Sequence, residues 1–133
     1  MPLQHTFAEA EFDIKGKTTR REKFLGNMEK VVPWTKLLAL LQSHIKPTKT
    51  GRPRYNLNTM LRIQLMQNWF GYSDLAMEEA LYEVVTLRRF AGLAQLDDLP
   101  DETTILKFRH FLERHELSKA VFEAVNQHLT EEG

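Results

Sequence analysis

Apolar positions along this chain recur at helical spacing, and no stretch shows strand-length alternation of any strength. From Thr19 to Val32, the residues Phe24, Leu25, Met28, Val31 and Val32 share one helix face. Arg20, Lys23, Asn27 and Lys30 follow an i, i+3, i+7, i+10 pattern on the other. Pro33 ends that helix and opens a second, since proline is tolerated in a first turn. The second runs to about Ile45, with Leu37, Leu38, Leu40, Leu41 and Ile45 inward, and Pro47 stops it. A third helix, capped by Asn56 or Asn58, reaches Phe70. Its apolar arc, from Met60 and Leu61 through Ile63, Leu65 and Met66 to Trp69 and Phe70, is wide enough for a central position. Arg62 projects within that arc, so it needs a partner, and Glu78 or Glu79 is the expected one.

Gly71 closes the third helix and Ser73 caps the fourth, which runs from Asp74 to Val85 with Met77, Ala80, Leu81, Val84 and Val85 inward. Glu78, Glu79 and Glu83 are expected to face water. A short helix around Leu87–Leu93 carries Arg88 and Arg89, and 95–100 reads as a turn. Asp101 caps a helix to about His115, with Ile105, Phe108, Phe111 and Leu112 inward. A last helix runs from Leu117 to about Thr130, with Leu117, Val121, Phe122, Val125 and Leu129 inward. The expected fold is all-α, a compact multi-helix bundle with an extended N-terminal arm over residues 1–18. In that arm Phe7 and Phe12 are candidate anchors. Residues 19–133 form the helical domain: basic helices at 19–45, a basic loop at 46–56 and a helical core at 57–133.

Composition narrows the class. A chain of 133 residues suits one domain with a real core, and having no cysteine excludes a disulfide scaffold or thiolate zinc site. Its longest apolar run, Leu37 to Leu41, is far too short to span a bilayer. The acidic N-terminus does not read as a secretory signal, so a cytoplasmic location is expected. The formal net charge of zero hides an asymmetry. Residues 15–54 carry eleven Lys/Arg against Glu22 and Glu29, net +9. The flanks carry −3 over residues 1–14 and −6 over 55–133. A basic segment joined to an acidic one suits a focused polyanion contact; the competing reading is a solvated basic face paired with the acidic half.

The candidate chemistry is recognition of double-stranded DNA. The short helix at 86–93 and the capped helix at 100–115 have the order of a helix-turn-helix unit. On the second, Thr103, Lys107, His110 and Arg114 form a polar and positive stripe of the kind a major groove takes. Arg109 on the same helix and Arg88 and Arg89 before it are further candidates, as are Arg20, Lys23 and Lys30 on the first basic helix. The loop KPTKTGRPRY adds Lys49, Arg52 and Arg54 as phosphate-tracking groups. Arg52, held by Pro53, is a candidate for minor-groove insertion, and Tyr55 an anchor to the core. Catalysis has little support. His110 and His115 do not converge as i, i+4 ligands would, no phosphate-cradling glycine loop is present, and Asp97, Asp98 and Asp101 read as turn and cap residues rather than a metal site. No cofactor, membrane or small-molecule substrate is called for.

In sequence order, MLRIQLMQNWFGYSD, ALYE, RRFAGL and PDETTILKFRHFLE resemble the N-terminal region of InsH-type transposases of the "insertion sequence five" family, from about Phe7 onward. Asn56 departs from the pattern, where relatives often have proline. The resemblance implies a helical region that engages the terminal inverted repeats of a mobile element. It also implies a following ribonuclease-H-like core whose two Asp and one Glu hold divalent metals for strand transfer. None of those three positions has a match here, so the chain is expected to bind DNA without cutting it. The alternatives are a dimerisation module, with Trp34, Trp69 and the Phe-rich arm as contacts, or a stand-alone regulator that competes for transposon ends.

Overall fold

The structure is a computed structural model that describes residues 18–45, 55–93 and 96–132. The arm anchors Phe7 and Phe12, the loop bases Lys49, Arg52 and Arg54, and the side chains of Asp97 and Leu129 lie outside the described residues. Among the described residues seven helices follow one another: α1 Arg20–Val31, α2 Trp34–Gln42, α3 Leu57–Phe70, α4 Asp74–Glu83, α5 Val85–Ala91, α6 Glu102–Arg114 and α7 Leu117–Glu132. A 3₁₀ turn, Leu96–Asp98, precedes α6. With helices as the whole of its regular structure among the described residues, the fold is the expected all-α bundle. The chain divides into two compact units, Met1–Lys30 and Val31–Gly133.

In the first unit, Thr19 starts α1 by accepting the Glu22 N–H on its hydroxyl at 3.1 Å. Leu25 and Met28 are buried, and Arg20, Lys23, Asn27 and Lys30 are all exposed, the stripe that the periodicity predicts.

The second unit is organised around α3. Every residue from Thr59 to Gln67 on this helix is buried, because neighbours cover it on all sides: α2, α4, α5 and α6 each pack against it. That is the physical meaning of its wide apolar arc. Asn56 caps it, accepting the Thr59 N–H on Oδ1 at 2.7 Å, and Gly71 ends it in the left-handed region at φ 69°. The remaining core comes from the inward faces of the neighbours: Leu37 and Leu41, Met77 and Leu81, Leu87, Ile105 and Leu112, and Val121 and Val125. Tyr55 is buried, as an anchor would be.

Two helix ends are closed by arginines. In α5, Gly92 adopts φ 80°, and the N–H groups of Gly92 and Leu93 return to the carbonyls of Arg89 and Arg88. That leaves two terminal carbonyls, and α3 supplies both donors. Thr59 Oγ1 donates to Ala91 O at 2.8 Å and Arg62 Nη1 to Phe90 O at 3.1 Å. The Arg62 guanidinium also donates to Asn58 Oδ1 at 3.0 Å. It lies 4.1 Å from the ring centre of Trp34 and 4.9 Å from that of Phe90. The expected carboxylate partner Glu78 is elsewhere, holding the N-terminus of α6 (Glu102 N–H to Glu78 Oε1, 2.7 Å), and Glu79 is exposed. A helix C-terminus supplies acceptors here: orphan carbonyls and the negative end of the helix dipole suit a cation as a carboxylate does. The second such end is that of α4, whose Leu81 and Tyr82 carbonyls accept from Arg88 Nη1 at 2.9 and 2.6 Å.

Candidate nucleic-acid interface

Helix α6 is built to hold one face in and one face out. Asp101 caps it, taking the Thr104 N–H on Oδ1 at 2.8 Å, and Glu78 takes the N–H of Glu102, so two of its free N-terminal donors are met by acids. Ile105 and Leu112 are fully buried, and Phe108 and Phe111 pack ring to ring with centres 5.7 Å apart. On the opposite side Thr103, Lys107, His110 and Arg114 are all exposed. At the helical rise of 1.5 Å per residue, this stripe is about 16 Å long.

Arg109 lies between the two faces and serves a different purpose. It grips Asp74 at the start of α4 with two parallel bonds, Nη1 to Oδ1 and Nη2 to Oδ2, the latter 2.7 Å long. Gln67 Nε2 donates to the same Oδ1 at 2.6 Å, so α3, α4 and α6 are tied at one carboxylate. The Gln67 Oε1 atom is buried and has no hydrogen-bond partner among the described residues. The Arg109 guanidinium holds the Asp74 carboxyl below its ordinary range, and burial opposes this more weakly. In return Asp74 raises the Arg109 guanidinium above its ordinary value. With donors committed to Asp74 and Glu113 3.8 Å away, Arg109 positions α6 rather than presenting itself to a phosphate.

Because its folded pKa is depressed, Asp74 contributes stability that is present above the unfolded aspartate value of about 4 and lost as pH falls through the folded value. Asp74→Asn is expected to lower stability at pH 7 by about 1–2 kcal/mol, a figure reduced for the pair's partial exposure. The gap between variant and wild type should begin to narrow below about pH 4 and close once the pH is under the lowered folded value. Chemical denaturation at pH 7 and at successively lower pH below about 4 checks this; a gap that never narrows would assign the loss to shape rather than charge.

The other sequence candidates divide. Arg88 is turned onto the carbonyls of α4, and burial lowers its guanidinium from the ordinary value. Arg89 is exposed near the end of α5, and Arg20, Lys23 and Lys30 are exposed on α1 in the first unit. The two helices of the expected helix-turn-helix unit pack mainly against other helices. Among the described residues, α6 lies on α4 and α3, and α5 lies on α3 and α4. The reason is the connection: a glycine-ended helix, a 3₁₀ turn and Pro100 separate α5 from α6, where the motif needs a tight turn.

Sequence reading missed one surface feature. Leu75 and Tyr82 lie two turns apart on α4 and are 47% and 62% exposed. Their i, i+7 spacing was the available signal, but the inward face of the same helix absorbed the apolar pattern. Among the described residues, no group of three or more His, Asp or Glu is placed to hold one metal ion, and no helix is long and apolar enough to cross a membrane.

Residues 12–111 match the family model described as Transposase domain (DUF772). No solved structure matches the chain.

Proposed function

The chain belongs to this transposase-domain family, and from that premise we propose that it is a DNA-binding and assembly domain that recognises the terminal inverted repeats of an insertion sequence. The finer placement among InsH-type transposases of the "insertion sequence five" family rests on the ordered motifs from MLRIQLMQNWFGYSD to PDETTILKFRHFLE. The observation that carries the DNA reading is the exposed stripe of Thr103, Lys107, His110 and Arg114 on a helix fixed from beneath. An α-helix fits the major groove, and a stripe held rigid keeps its register on the bases. Lys107 and Arg114 would neutralise phosphates, with His110 between them facing base edges. The acids Asp101 and Glu102 at the N-terminus of α6 repel phosphate, so contact centres on the middle and C-terminal turns. Arg20, Lys23 and Lys30 on α1, with the loop bases Lys49, Arg52 and Arg54, add phosphate contacts of lower specificity. In this reading the chain holds DNA, and strand transfer belongs to a separate ribonuclease-H-like core.

The test is a titration of terminal-repeat duplex across salt concentrations. With about six phosphates neutralised, log K should fall against log salt with a slope of about −5. A flat response, or equal affinity for an unrelated duplex of the same length, would remove the reading.

A second reading has its own observation. The exposed Leu75 and Tyr82 on α4 favour a protein contact, with transposase subunits pairing as a homodimer. Trp34 and Trp69, the aromatic residues that the sequence offers for such a contact, are half-buried with their rings against Phe90. Sedimentation without DNA separates the readings: a dimer that Leu75→Ser and Tyr82→Ser dissolve supports pairing through α4, and a strict monomer counts against it.

A further inference from the structure

Two histidines that sequence spacing does not connect meet in the fold. His44 lies in the turn after α2, its N–H donating to Leu41 O at 3.1 Å. His115 is the C-cap of α6, its N–H donating to Phe111 O at 3.3 Å. Their ring centres are 5.1 Å apart, with the planes inclined by 40°. Both side chains are half-buried, so the pair is reachable from solvent without being loose. The Phe111 ring stands edge-on to His115 at 5.1 Å and gives the pair an apolar wall.

Three features of this place favour a cation. Each imidazole follows the last turn of a helix, where outward-facing carbonyls carry partial negative charge. Neutral imidazole is a preferred ligand of zinc, nickel and copper(II). Two imidazoles bound to one zinc at about 2.0–2.1 Å and near-tetrahedral angles place their ring centres about 5 Å apart, the separation found here. Among the described residues no third imidazole or carboxylate joins them, so the remaining coordination positions fall to water.

We propose that His44 and His115 form a two-histidine site for a borderline divalent transition-metal ion, of the zinc, nickel or copper(II) class. Such an ion clips the end of α2 to the end of α6. It thereby fixes the C-terminal end of the helix that carries the exposed basic stripe, and the point where the chain leaves α2 for the basic segment beyond Lys46. The site does not depend on the DNA reading, because its ligands lie off the stripe.

The experiment uses the full chain without a polyhistidine tag, stripped with chelator and titrated with zinc chloride and, separately, copper(II) chloride. One ion should bind per chain with micromolar affinity, and excess zinc should raise the thermal midpoint by several degrees. The copper(II) complex should show nitrogen hyperfine coupling from two imidazoles. His44→Ala and His115→Ala should each abolish binding, and His110→Ala and His128→Ala should leave it unchanged. His44→Gln and His115→Asn, checked by circular dichroism, serve where an alanine variant loses its fold. Millimolar or weaker binding, or binding that survives in the folded double variant, overturns the site and leaves the pair as packed rings.

Discussion

Arg62→Met is expected to destabilise the second unit by about 3 kcal/mol, the largest loss from any single polar substitution in this core. The substitution roughly conserves chain length, so it isolates what the guanidinium does. It strands the Phe90 carbonyl, one of the two terminal carbonyls of α5 that α3 satisfies. A buried acceptor left unmet costs about 1–3 kcal/mol. It also removes a cation lying over Trp34 and Phe90, worth about 2 kcal/mol where water is excluded. Methionine returns some of this by filling the space between the rings. For a chain of this size the thermal midpoint should fall by about 10 °C. Arg62→Lys keeps the charge but not the fork that reaches Asn58 and Phe90 together, so its loss should be intermediate. A loss below about 1 kcal/mol for Arg62→Met would show that the guanidinium's bonds only offset its own desolvation, as happens for some buried ion pairs.

Arg62 also marks where sequence reading stops. Its position within an apolar arc was enough to require a partner, because burial of a lone guanidinium is costly. The partner's identity was not legible, because one of its acceptors is a backbone carbonyl at the end of a helix placed there by the fold. A carbonyl has no letter in the sequence. The same limit applies to Arg88 and Arg109. One is turned onto the carbonyls of α4 and the other onto Asp74, yet both have the composition expected of a phosphate contact. Only the geometry around α6 separates Arg109 from Arg114, five positions later on the same helix.

What depends on near neighbours was readable. Asn56, Ser73 and Asp101 cap the helices they precede, and Gly71 ends α3, because each acts within four residues of itself. Helix ends without such residues drifted. Helix α2 stops at Gln42 rather than Ile45, and α4 at Glu83 rather than Val85. At Val84 the backbone turns extended, φ −114° and ψ 107°, and the next helix begins one residue later. Apolar periodicity runs across that break, since Val84 and Val85 continue the inward pattern of α4. The pairing of His44 with His115 was beyond reach for a related reason: their elements meet only when α2 and α6 have both docked on α3.

Replacing Lys107, His110 and Arg114 together by alanine is expected to weaken binding to terminal-repeat duplex by about a hundredfold and to reduce the salt slope by about 2. The three side chains are exposed, and α6 is fixed chiefly by Ile105, Leu112 and the Arg109–Asp74 pair. Alanine is also the best helix former, so circular dichroism and the thermal midpoint should stay within the small range of surface substitutions, about 0.5 kcal/mol. Arg109→Ala should give the reverse pattern, lowering the midpoint because it leaves the Asp74 carboxylate without its charged partner. Its DNA affinity should fall only in step with the folded fraction. Lys119→Ala, an exposed lysine on α7 paired with Glu123, removes one positive charge away from the stripe and should change neither quantity. Phosphate contacts spread over the whole surface would instead make Lys119 and Lys107 equivalent. Equal losses at those two positions, or a triple variant that binds as tightly as wild type, would move the interface off α6 and onto the basic segments before it.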